Sequence, residues 1–386
     1  MEWELLQSNP MFAALLTLIF GLAQNAPAQE VRHIHSEPGF EVFTLDPTLG
    51  AEAAGAPLRA LKRAISKFPN LPWPETIQIG LTREGENFKS LGDVIFGEVE
   101  YVTVGRTGRP ARLTGKALEA FWIHELGHTL ISRYLKKKWI ETLPEIREAL
   151  LNSSMREMRD PILADLERPG FDAFTGFGAG RMAEPLFRIF KRDPSIMVNQ
   201  DNYDLVDIGL KTSKYQRELW DATHVLQEFF GDVLAAAVTG SPTRMSDAIE
   251  SVSGFENGRY RSLQRQVPLK GFFNLKEALH TVMAPARLKA GELLAHNGNS
   301  EEVVQAAAEA VLDVVGDLWK NPVRAADIME TLNELAVSEN KSSRTDLKEF
   351  NNVNAKFARL NRELRARLSV RASRIGPKSC RALLGG

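Results

Sequence analysis

The chain has 386 residues, 44% of them hydrophobic and 25% charged, with a formal net charge of −1 at pH 7. That composition belongs to a soluble globular protein with room for one large domain or two ordinary ones. The near-zero charge argues against a dedicated nucleic-acid binder, and a single cysteine, Cys380, excludes an intrachain disulfide and a cysteine-based zinc site.

The first element is an uncharged 13-residue stretch, Met11 to Ala23. It is short for a bilayer span, which takes about 20 apolar residues, but it suits the core of a signal peptide. Ala26-Pro-Ala28 then offers a small-x-small cleavage pattern. The expectation is a signal peptide over 1–28 and a mature protein that begins near Ala28–Gln29. That protein is periplasmic or secreted, with no stable membrane span after processing. The residues ahead of the stretch hold Glu2 and Glu4 and no Lys or Arg, which is atypical of such a peptide, so an uncleaved anchor is the alternative.

Leu58, Leu61 and Ile65 are spaced as one face of a helix, ended by Pro72 and Pro74. Residues 76–82 and 93–104 are rich in β-branched and aromatic side chains and read as strands, with a turn over Gly105 to Pro110. Beyond Arg133 the pattern is almost wholly helical, including short helices at 143–151 and 185–190. The glycine-rich run 170–180 lacks a following Lys-Ser/Thr and is no phosphate loop. Helix starts are marked by Asn299 with Glu302 and by Asn321-Pro322. Gly254 to Lys270 is polar and aperiodic, a plausible boundary. From Lys341 to the end, twelve Lys/Arg face three acidic residues, read as a solvated helix face with a basic tail rather than a site for an anionic partner.

The chemistry concentrates in His124-Glu125-Leu126-Gly127-His128, set in the apolar run from Ala120 to Ile131. Histidines four apart stand one turn apart on a helix face, so both imidazoles can reach one tetrahedral zinc ion. Glu125 is then placed to take a proton from a metal-bound water without ligating the metal. The plain alternative is a pair of hydrogen-bonded histidines in an ordinary core helix.

A catalytic zinc needs a third protein ligand and an open position. A metzincin would place Gly and His where this chain has Ile131 and Tyr134, so that pattern is excluded. The run from Trp220 to Val238 carries Glu228 and Asp232 one turn apart on an otherwise apolar helix, with nothing cationic between Asp221 and Gly240. Buried carboxylates there need a partner. A zinc bound by Glu228, with Asp232 accepting from the far nitrogen of a ligating histidine, supplies one; solvent or a distant Arg is the alternative. His224, a turn before Glu228, could ligate in its place, line the cleft or merely pack.

With these motifs the chain resembles the gluzincins, zinc peptidases with His-Glu-x-x-His on one helix and Glu-x-x-x-Asp on a later one. The resemblance covers about 76–240. It implies His124, His128 and Glu228 as metal ligands, Glu125 as general base and Asp232 behind a histidine. It also implies electrophilic help from a His or Tyr, for which His280 is the downstream candidate and Tyr215 the weaker one. A hundred residues separate His128 from Glu228, so a helical insertion over about 135–215 lies between the two motifs. The expected fold is α+β and predominantly helical: a zincin-like domain over 29–255 with a small sheet, then a helical region over 256–386. The expected function is zinc-dependent hydrolysis of a protein or peptide substrate. The alternative is a non-catalytic zinc- or peptide-binding protein of the cell envelope. If Gly97 to Val104 forms an edge strand, an extended substrate could add to it.

Overall fold

A computed structural model describes residues 32–44, 46–83, 89–91, 94–99, 101–104, 109–112, 115–166, 214–253, 261–265, 282–296, 300–321, 324, 328 and 347–374. The expected signal peptide, the glycine-rich run, the 185–190 helix, Asn299 and His280 lie outside the described residues.

The fold is α+β and mostly helical. Its strands come first: β1 (Arg32–Glu37), β2 (Phe40–Thr44), β3 (Ile77–Thr82), β4 (Lys89–Leu91) and β5 (Val94–Glu98) form one sheet in the order β1-β2-β3-β5-β4. β2, β3 and β5 run parallel, while β1 and β4 pair antiparallel at the two edges. Helix α1 (Gly55–Lys67) makes the crossover from β2 to β3, burying Leu58, Leu61 and Ala64 and exposing Arg59, Lys62 and Arg63. This is the helix the 3.6-residue spacing predicts.

The reading of 93–104 as one strand is corrected. The chain leaves the sheet after Glu98, and β6 (Tyr101–Val104) pairs instead with β7 (Arg109–Arg112) in a separate antiparallel hairpin. β-branched residues continue across the break, so composition gave no sign of it. β5 lies between β3 and β4, so Gly97 is interior to the sheet, and the edge on that side is β4.

The remaining described elements are helices: α2 (Gly115–Leu151), α3 (Arg156–Leu166), α4 (Lys214–Thr239), α5 (Arg244–Ser253), α6 (Ala284–His296), α7 (Ser300–Trp319) and α8 (Leu347–Arg374). The 143–151 helix is the end of α2, which runs unbroken for 37 residues. Helix α7 presents Val304, Val311, Val314, Val315 and Leu318 to a continuous core that it shares with α2 and α4. Two arginines of α8 pair with acids on α7: Arg367 with Asp317, and Arg371 with Glu309 and Asp313. Asn321 accepts from the Arg324 amide at 3.1 Å, the expected cap. No helix among the described residues is long and apolar enough to cross a membrane.

Candidate metal centre

The site forms where α2 crosses α4. The crossing is tight because each helix has glycine at the contact. A Cβ on Gly127 would lie 2.8 Å from the Gly231 Cα, and a Cβ on Gly231 would lie 2.5 Å from His124 Nδ1. Backbones that close bring the histidines of one helix onto the carboxylates of the other. On the sheet side, the Ser90 hydroxyl of β4 is 2.7 Å from that of Thr129, next to His128.

His124 and His128 converge with their Nε2 atoms 3.0 Å apart. Glu228 reaches both, with Oε2 3.2 Å from His124 Nε2 and Oε1 3.4 Å from His128 Nε2. A tetrahedral zinc roughly 2.0–2.1 Å from its donors sets those donors about 3.3 Å apart, so the three side chains fit one face of its coordination shell. Glu125 is buried beside them, and His124, Glu125 and His128 each offer a ligand atom within 4.8 Å of the others. Asp232, fully buried, has Oδ1 3.1 Å from His124 Nδ1, where it fixes the ring with Nε2 turned inward. His128 Nδ1 faces the Gln227 Oε1 at 3.4 Å.

His224 occupies the outer edge. Its Nε2 is 3.1 Å from Glu228 Oε1 and its ring stacks on that of His128, centroids 5.7 Å apart. Its side chain is 29% exposed, against 5% for Glu228 and 3% for His124. His224 therefore marks the approach from solvent. Tyr215 belongs to α4, but its side chain, like all of His280, lies outside the described residues.

The sequence did not single out which arginines meet these carboxylates, and the structure brings two. Arg261 directs Nε to both Asp232 oxygens at 3.1 Å and Nη2 to Asp232 Oδ1 at 2.7 Å and Glu228 Oε2 at 3.0 Å. Arg287, on the first turn of α6, donates Nε to Asp232 Oδ2 at 2.6 Å and is completely buried. Its Nη1 and Nη2 have no hydrogen-bond partner among the described residues. Arg261 lies within the boundary segment expected near 255–270 and Arg287 beyond it, so the region after α5 takes part in the site. A distant Arg was the alternative partner for these carboxylates. It is present, with Nη2 3.0 Å from both Glu228 Oε2 and His124 Nε2, while His124, His128 and Glu228 still converge on one another.

The charges interlock. Burial and the charge of Arg261 push His124 toward the neutral form, but the Glu228 and Asp232 carboxylates outweigh them and raise it to about 9. Burial would raise Asp232, yet Arg261, Arg287 and His124 hold it well below the usual carboxylate range. Arg261 feels the same burial, overcome by Asp232 and Glu228, which push it up. Arg287 is pulled down by burial, with Asp232 opposing and Arg261 adding to the fall. Without a metal, then, a proton on His124 balances the cluster, in which three carboxylates face two guanidiniums. No family model, no curated protein and no solved structure matches the chain.

Proposed function

We propose that the protein is a zinc-dependent peptidase of gluzincin type, with His124, His128 and Glu228 holding the ion. The observation that carries this reading is the convergence of three buried donors at 3.0, 3.2 and 3.4 Å, with Glu125 beside them and Asp232 behind His124. A bound Zn²⁺ supplies a water of lowered pKa and polarises a carbonyl oxygen. Glu125 accepts the water proton and returns it to the leaving amine. Asp232 keeps the His124 ring in one orientation and tautomer. His224, on the solvent side, would meet an incoming peptide first. With the export expected from the N-terminal sequence, the substrates would be proteins or peptides outside the cytoplasm.

The near-complete burial of the donors favours a second reading, a zincin-like protein that binds zinc without hydrolysing anything. One experiment addresses both. Purified protein is assayed for zinc content and for cleavage of unfolded protein. The wild type should hold about one ion per chain, His128→Ala and Glu228→Ala should lose it, and His224→Ala should keep it. Wild-type protein that takes up no zinc sinks the metal reading. Stoichiometric zinc without cleavage leaves the binding protein.

A further inference from the structure

We propose that Arg261 is a stand-in cation for the metal: its Nη2 neutralises Glu228 in the metal-free protein and gives that carboxylate up when the ion binds. This rests on the metal-centre reading above and adds to it a competition inside the site.

A carboxylate and two imidazoles converging at 3.0–3.4 Å are unfavourable unless positive charge stands among them. Arg261 supplies it. Its Nη2 donates to Glu228 Oε2 at 3.0 Å, and it lies 3.0 and 3.2 Å from the two ring nitrogens of His124. Near-equal distances to both nitrogens place Nη2 over the ring face. His124 Nε2 and Glu228 Oε2 are themselves 3.2 Å apart. An ion roughly 2.0–2.1 Å from both of them therefore comes within about 4 Å of Nη2. In a buried site, where screening is weak, a dication and a guanidinium that close repel strongly.

Arg261 has somewhere to go. Its Nε reaches both Asp232 oxygens, so it can release Glu228 without leaving the site. Its backbone is held, since the next residues are pinned by the Leu263 amide to Pro242 O at 2.8 Å and by Ser262 Oγ, which accepts from the amides of Gln264 and Arg265. The side chain is the part that has to turn, and its Nη2 keeps a second acceptor in Asp232 Oδ1 at 2.7 Å. Arg287 stays on Asp232 throughout, at 2.6 Å. The donors are thus kept assembled before any metal arrives, and part of the binding energy goes to displacing Nη2.

The test is zinc affinity by competition with a chromophoric chelator, for full-length wild type and Arg261→Met. Losing the competing cation should tighten zinc binding at least tenfold at pH 7, while the metal-free variant melts at a lower temperature than the metal-free wild type. Unchanged or weaker zinc binding in Arg261→Met overturns the proposal, because an arginine that only positions the ligands would give that result. If Arg261→Met does not fold, the structure of zinc-loaded wild type decides. Nη2 should have moved beyond hydrogen-bond reach of Glu228 Oε2, and an unaltered contact refutes the displacement. A wild type that binds no zinc refutes the metal centre itself, a separate outcome.

Discussion

Glu125→Gln replaces one carboxylate oxygen by an amide nitrogen of nearly the same size, and changes what the group can accept. Glu125→Gln should keep fold and zinc, because neither imidazole nor Glu228 is touched, and should lose at least a hundredfold in peptide cleavage, since an amide cannot take the proton from water. Zinc content measured beside turnover checks it, and cleavage at a wild-type rate would remove Glu125 from the role of base. His124 carries a second residue-scale consequence. Its pKa in the metal-free fold is raised from 6.5 to about 9, so the stability it contributes is fully present below pH 6.5 and is lost as pH climbs through 9. Asp232 acts oppositely: its carboxyl is lowered, so its contribution holds above the ordinary carboxylate range and is lost on acidification. Metal-free protein should therefore unfold at lower urea concentration at pH 9 than at pH 6, by a few kcal/mol at most. Equal midpoints in chelator at the two pH values would contradict the proton on His124.

At the scale of elements, the decisive contact is the crossing of α2 and α4 through Gly127 and Gly231. Gly231→Ala puts a methyl 2.5 Å from His124 Nδ1 and 3.0 Å from the His124 carbonyl oxygen. The helices must part or the ring must turn. The expected cost is about 1–3 kcal/mol of stability, by analogy with overpacked cores, together with weaker zinc binding. Urea melts and zinc titration of the same variant report the two effects, and wild-type values in both would show that the crossing tolerates a side chain. The two helices of the site were legible in the sequence because their chemistry is periodic. His124 and His128, and Glu228 and Asp232, are each four apart, and that interval alone sets each pair on one face. The strands were less legible. Residues 32–44 carry no alternation strong enough to mark β1 and β2, and β4 is only three residues long.

For the whole molecule, the question is whether the N-terminal region stands without the rest. A chain ending at 255 would lack α7, which packs on both α2 and α4, and would lose Arg261 and Arg287. Asp232, at zero exposure, would keep only His124 as a partner, and a buried carboxylate so reduced costs several kcal/mol. That truncation should fail to unfold cooperatively and should hold no zinc. A sharp melt with stoichiometric metal would show instead that the boundary read from the sequence is a real one.

The sequence by itself determined the class of fold, from its strand-like and helical stretches, and the His124–His128 and Glu228–Asp232 pairs, from intervals of four residues along one helix. Only the tertiary structure decided that Glu228, a hundred residues from His128, meets it at 3.4 Å. The same holds for the ending of the 93–104 run, whose interruption depends on which strand is free to pair. Most of all it decided the arginines. Arg261 and Arg287 lie 29 and 55 residues beyond Asp232, in segments with no periodicity that distinguishes them. A charge finds its partner through space, and nothing local in the chain records which distant carboxylate it will face.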